Sequence, residues 1–411
     1  MTKTRKTLRK RAWKIKKLSF GVGLTILFLG SIFLGKNIAA STYEKIAPEP
    51  KLSVEMSAQR IDEECKGRID NDQCFANAFY KLSQKNDSNF AVKTLLHLQE
   101  IDPQNTRGCH FTAHKISQAE TEKDPNKWEE VIKKVSPTMC TGGFLHGVLE
   151  SHVATDPDFT INENSITHIC TDILNGTENR FAERSCAHNL GHLMIVQEEG
   201  KLQKAVEQCN KLKSDNFRYE CLSGSFMETL TAENLMAHEL IKVKPRWNID
   251  LARSTEEVCS KYDGLAAQAC WKEISYVYFA IRNSEPLGLY AECQRAPTKE
   301  MADGCYIYGA GNMVTGSNFK QENLITLCHQ FAETDPMFPR CMDQTIGSML
   351  TSTSSNLDKA LTICSGTYEN FRNGCYRRIK YFLGLTKVPQ KVISNACSKF
   401  PQDIKSQICQ G

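Results

Sequence analysis

Several signatures are missing from this 411-residue chain. Short alternating apolar–polar runs bounded by turn residues are scarce, which argues against a sheet-based α/β enzyme. There is no GxSxG elbow, P-loop, Rossmann glycine fingerprint or CxxCH haem attachment motif. Acidic residues are missing before Glu44, while nine Lys or Arg fall within the first 17 positions. That cluster accounts for the formal charge of +4, because from residue 37 onward 41 Lys and Arg face 47 Asp and Glu. A basic excess confined to one end is a topology signal and speaks against nucleic-acid binding.

Long apolar runs are also scarce, with one exception. Leu18 to Gly35 carries no charge, and as a helix it would be about 27 Å long, enough to cross a bilayer. With the basic flank held in the cytoplasm, this predicts a cytoplasmic segment over 1–17 and a transmembrane signal anchor over 18–36. A polar stalk over 37–57 follows, containing Pro48 and Pro50. A cleaved signal peptide ending at Ile38-Ala39-Ala40 is the alternative. Either way the body is expected to be extracytoplasmic, in a periplasm, at a cell surface or in a secretory lumen. The membrane is then its first partner.

What the chain does have is cysteine, 18 in all, in keeping with an oxidising space. They form a ladder of pairs: Cys170/Cys186, Cys209/Cys221, Cys259/Cys270, Cys293/Cys305, Cys328/Cys341, Cys364/Cys375 and Cys397/Cys409. The last five pairs recur every 33–36 residues. In each unit the first cysteine closes an apolar-periodic segment and the second opens another. This predicts an all-α solenoid of right-handed type, built from helical hairpins with one disulfide across each turn. The period matches tetratricopeptide repeats in length and hairpin form only. Each such bond closes a short loop, worth about 2–3 kcal/mol by chain entropy. Cys65/Cys74 reads as a shorter unit. Cys109 and Cys140 are left over and are expected to bridge neighbouring hairpins, with a free pair or metal thiolates as the alternative. The wide interval before Cys259 places an insertion at 238–258, dividing a front half (58–237) from the back repeats and cap (259–411).

The repeat does not require the histidines. His110/His114, His146/Glu150 and His188/His192 are i, i+4 pairs, each on one helix face, in three successive second helices. Together they present six N/O ligands suited to Fe, Cu, Zn or Mn. His152 and His168 read as outer groups. Gly142, Gly143, Gly147 and Gly191 interrupt these helices, as expected if the helices approach closely. Glu150 is also the candidate catalytic base. The histidines outnumber this single carboxylate, which favours a membrane-anchored, metal-dependent oxidoreductase. The alternatives are a metal-dependent hydrolase, with Glu150 activating water, and a metal-free scaffold taking a peptide, glycan or protein ligand on its concave face.

Overall fold

Helix starts follow local capping chemistry. Ser53 accepts the backbone N–H of Met56 and opens α1 (Val54–Cys65), and Asp87 accepts that of Phe90 to open α3 (Ser88–Ile101). Between them lies α2 (Asn71–Lys85), and α4 (Cys109–Lys123) follows. Next come α5 (Trp128–Lys133), α6 (Gly143–Thr155) and α7 (Glu163–Thr167), which runs on into a π-helical turn at His168–Ile173. The ladder then reads α8 (Arg180–Gln197), α9 (Leu202–Cys209), α10 (Asp215–Leu230), α11 (Gly264–Tyr276), α12 (Leu289–Cys293) and α13 (Lys299–Gly316). It ends with α14 (Gln321–Cys328), α15 (Met337–Ser352), α16 (Leu357–Ser365), α17 (Glu369–Leu385) and α18 (Gln402–Ile408). This computed structural model describes residues 52–408, apart from 69, 103–108, 136–138, 157, 175–179, 231–256, 279–287, 317–320, 353–356, 386–393 and 396.

The protein is all-α with regular hairpin packing. The second helices of successive hairpins lie side by side in the order α2, α4, α6, α8, α10, α11, α13, α15 and α17. The first helices pack against them, α9 against α10 and α16 against α17, for example. A hairpin cannot enclose its own apolar stripe, so each buries it against the next. Phe144, Leu190, Phe226, Ile274, Tyr306, Ile346 and Ile379 are all buried in one hydrophobic core.

The disulfides form as paired in the sequence. In the front half they are Cys65–Cys74, Cys109–Cys140, Cys170–Cys186 and Cys209–Cys221. In the back half they are Cys259–Cys270, Cys293–Cys305, Cys328–Cys341 and Cys364–Cys375. Cys109–Cys140 is thus a bridge between hairpins rather than a thiol pair. Cys397 is also bonded, while Cys409 lies outside the described residues, among which no cysteine is free.

The second cysteine, expected near the start of its helix, lies within the first two turns, so the helix begins earlier than the apolar-periodic segment that it opens. Cys74 sits within α2, Cys186 within α8, Cys221 within α10 and Cys270 within α11. Cys305, Cys341 and Cys375 sit likewise within α13, α15 and α17. Polar residues read as loop form the first turns instead, because polar side chains suit a solvent-facing helix start.

The proposed anchor (18–36) and basic segment (1–17) lie outside the described residues, as do residues 37–51 of the stalk and most of the 238–258 insertion. Among the described residues, no helix is long and apolar enough to cross a membrane. The longest are polar: α8 carries Glu183, Arg184, His188 and His192, and α13 carries Lys299, Glu300 and Asp303. For the described residues, the expectation of a single-pass, signal-anchored protein with the membrane as partner is therefore corrected. The described structure is a helical repeat body, stapled by disulfides, with no spanning helix in it.

Candidate metal centre

The second helices carry the histidines, and their backbones pack unusually close. A Cβ on Gly147 of α6 would strike the carbonyl oxygen of His114 in α4, and one on Gly224 of α10 would strike that of His188 in α8. Glycine is required at these crossings. The close approach brings imidazoles from different helices into contact. Ring centroids lie 4.9 Å apart for His114 and His146, 4.9 Å for His146 and His192, and 4.9 Å for His188 and His192. His110 stands 5.9 Å from His146. The five histidines form a row across α4, α6 and α8.

At the centre of the row is Glu150, one turn after His146. Its Oε2 lies 2.7 Å from His114 Nε2 and its Oε1 lies 3.1 Å from His146 Nε2. All three residues are buried, and each offers a ligand atom within 4.8 Å of the other two. This His/His/Glu cluster is close enough to chelate a metal ion. Among the described residues it is the one such group. Burial pushes the His146 imidazole well below its ordinary 6.5, against the opposing pull of Glu150. The neutral ring, the form that ligates, is thereby favoured.

The remaining histidines adjoin this cluster and are oriented by neighbours. His110 Nδ1 lies 3.1 Å from the Cys140 carbonyl, which can only accept, so Nδ1 carries the proton and Nε2 is the acceptor nitrogen. His192 Nδ1 lies 2.6 Å from Glu228 Oε2, with the same consequence. His188 Nδ1 lies 3.3 Å from Ser223 Oγ and 3.9 Å from Glu220 Oε2. Burial, reinforced by His192 and Lys272, pushes His188 well down. His152 and His168 stand apart: His152 stacks on Trp128 at 4.3 Å, and His168 is exposed beside Glu129.

The polar row continues where the histidines stop. On α10 and α11, the buried residues Glu220, Ser223, Glu228, Lys272 and Glu273 extend it. Lys272 Nζ donates to Ser223 Oγ at 2.8 Å, Ser223 donates to Glu273 Oε1, and Arg184 donates to Glu220. Sequence reading missed these residues, although a positional signal exists. His188, Ser223 and Lys272 each fall two places after the second cysteine of their unit (Cys186, Cys221 and Cys270), and His146 and His192 fall six places after Cys140 and Cys186.

This extension removes the premise of the redox reading. Glu150 is not a lone carboxylate among histidines, because Glu220, Glu228 and Glu273 share the row. The membrane-anchored oxidoreductase is therefore corrected. What the site supports is a His/His/Glu chelate in a carboxylate-rich strip, of a disulfide-rich helical repeat protein. Comparison of the chain with protein-family models, with curated proteins and with solved structures gives no match.

Proposed function

We propose that this protein is a metal-dependent hydrolase, its divalent ion held by His114, His146 and Glu150. In this reading the hairpins form a solenoid of right-handed type whose second helices carry the site. The observation that carries the proposal is the carboxylate of Glu150 facing two Nε2 atoms from two helices. Two histidines and a glutamate are a ligand set used for catalytic zinc, leaving a coordination position for water.

Charge supports it. Glu150, Glu220, Glu228 and Glu273 are buried, and among the described residues Lys272 and Arg184 pair with Glu220. A buried strip this rich in carboxylates is an environment that suits a divalent cation.

An ion bound there would lower the pKa of its water and polarise a substrate carbonyl or phosphoryl oxygen. Glu150 then serves as ligand, and the proton-accepting role expected of it falls to His192. Glu228 holds the Nδ1 proton of that ring, so Nε2 is the nitrogen able to accept one. His110 and His188 flank the row and orient the approach of the substrate.

The test is zinc and manganese uptake by the full-length, oxidised, untagged protein, with hydrolysis of chromogenic ester, amide and phosphoester substrates. His146→Ala and Glu150→Gln should each abolish stoichiometric uptake and all hydrolysis. Absence of uptake by the folded wild type would overturn the proposal and leave a scaffold with a structural polar strip.

A further inference from the structure

The Cys109–Cys140 bridge differs from the rest of the ladder in what it joins. The other bridges among the described residues span 9–16 residues within one hairpin, whereas this one spans 31 and links two hairpins. Cys109 is the first residue of α4, and Cys140 lies in the 3₁₀ turn Met139–Gly142 that leads into α6. Those two helices supply all three residues of the His/His/Glu cluster, His114 from α4 and His146 and Glu150 from α6. His114 stands five residues after Cys109, about 7.5 Å along the helix, and His146 stands six after Cys140.

The crossing itself is smooth where a chelate needs it fixed. Cβ atoms on Gly143 and Gly147 would strike the carbonyl oxygens of His110 and His114, so α6 rides on the backbone of α4. Glycine allows this approach but has no side chain to interlock, so these two contacts do not set the register. A chelate tolerates little sliding, because ligand–metal distances are fixed to about 0.2 Å. His114 Nε2 and Glu150 Oε2, 2.7 Å apart, come from opposite sides of the crossing. The bridge ties the two sides at one end, and His110 Nδ1 donates to the Cys140 carbonyl at that same end.

Cys140 also keeps a side chain where the backbone disfavours one. Its φ of 50° lies in the left-handed region, uncommon for residues other than glycine. Gly142, two residues on, takes φ 85° as a glycine. A side chain held in such a conformation is over-determined by its surroundings, and here its bond runs to α4. Both cysteines are buried, which shields the bond from thiol exchange and makes it a fixed brace.

We propose that Cys109 and Cys140 are positioning residues of the metal centre. Their bond holds α4 and α6 in the register at which His114 meets Glu150 and His146. The inference rests on the chelate proposed above. It gives this bridge a role in metal affinity beyond the stability that the other bridges supply.

The experiment measures Zn²⁺ affinity by competition with a chromophoric chelator on the full-length, oxidised, untagged chain, beside urea unfolding of each metal-free protein. It compares wild type with Cys109→Ser/Cys140→Ser and with Cys65→Ser/Cys74→Ser. The second pair ties α1 to α2, which packs on α4 as α6 does, so its loss loosens the structure beside the same helix. Cys109→Ser/Cys140→Ser should weaken Zn²⁺ binding about 10–100-fold, the scale of losing a group that orients metal ligands. Cys65→Ser/Cys74→Ser should lower the urea midpoint and leave the dissociation constant at the wild-type value. Wild-type affinity in a folded Cys109→Ser/Cys140→Ser overturns this inference alone. So does an equal loss of affinity in both double variants, which would make the effect one of stability. A wild type that binds no Zn²⁺ overturns the chelate and this inference with it. If the serine pair does not fold, Cys109→Ala/Cys140→Gly takes its place with the same outcomes, because glycine adopts the left-handed backbone freely.

Discussion

Individual side chains here owe their properties to what the next helix places beside them. His152 shows this away from the metal site. Its ring is stacked on Trp128 at an interplanar angle of 13° and meets Phe159 edge-on at 4.8 Å. Burial lowers its pKa from 6.5, with Asp156 and Glu129 opposing. A depressed folded pKa means that the unfolded chain takes up the proton first as pH falls. The stabilising contribution is therefore complete above pH 6.5 and is lost as pH drops through the folded value. His152→Phe keeps the stack and removes the titration. Its urea midpoint should fall less than that of wild type between pH 7.5 and pH 5.5; equal falls would contradict the assignment. The i, i+4 pairing of His110/His114, His146/Glu150 and His188/His192 was legible in the sequence because helix periodicity is local. Which of the six would meet was not, because His114 reaches Glu150 only through the crossing of α4 and α6. Glu228 and Lys272 were illegible for the same reason: their partners are on other helices.

At the level of the element, the unit is a hairpin with its disulfide. Cα atoms of the bonded pairs are 5.4–5.6 Å apart, within the usual range for an unstrained bridge. Short spacings, from 9 to 16 residues, were sufficient to predict the bonds within hairpins, since a short turn returns the chain to the same place. The point where each second helix begins was less clear, because polar residues serve equally in loops and in exposed first turns. Cys270 and Cys375 show the result, each lying within the first two turns of a helix that begins earlier than the apolar-periodic segment. The Cys328–Cys341 bridge ties α14 to α15 inside a wholly buried setting. Replacing both cysteines with serine should cost about 2–4 kcal/mol, read from urea unfolding under non-reducing conditions. The site's histidines lie on other hairpins, so metal uptake should be unchanged. A loss below about 0.5 kcal/mol would show that packing alone holds the hairpin.

Over the whole molecule, each second helix packs chiefly on the ones before and after it, as in other repeat proteins. The buried polar strip spans α4 to α11, and Tyr308 on α13 covers its far end. Removing residues 357–411 deletes α16 to α18 and leaves every member of the strip with its neighbours. That truncation should lower thermal stability yet keep wild-type zinc stoichiometry. Loss of zinc binding in a folded truncation would mean that the repeats act as one cooperative body rather than as a stack.

By itself the sequence determined the helical class, the repeat period, the disulfide pairing and the face on which the histidines gather. Apart from the Cys109–Cys140 bridge between hairpins, which followed from those two cysteines being left over, these depend on contacts between residues a few turns apart, which spacing encodes directly. Only the tertiary structure decided that His114, His146 and Glu150 come close enough to chelate a metal ion and that His192 is set by Glu228. It also decided that a lysine and three further glutamates continue the strip. Those outcomes depend on side-by-side packing of helices some 35 residues apart, at crossings that glycines such as Gly147 and Gly224 permit. No periodicity along the chain records such a crossing, because it is set by how closely two backbones can pack.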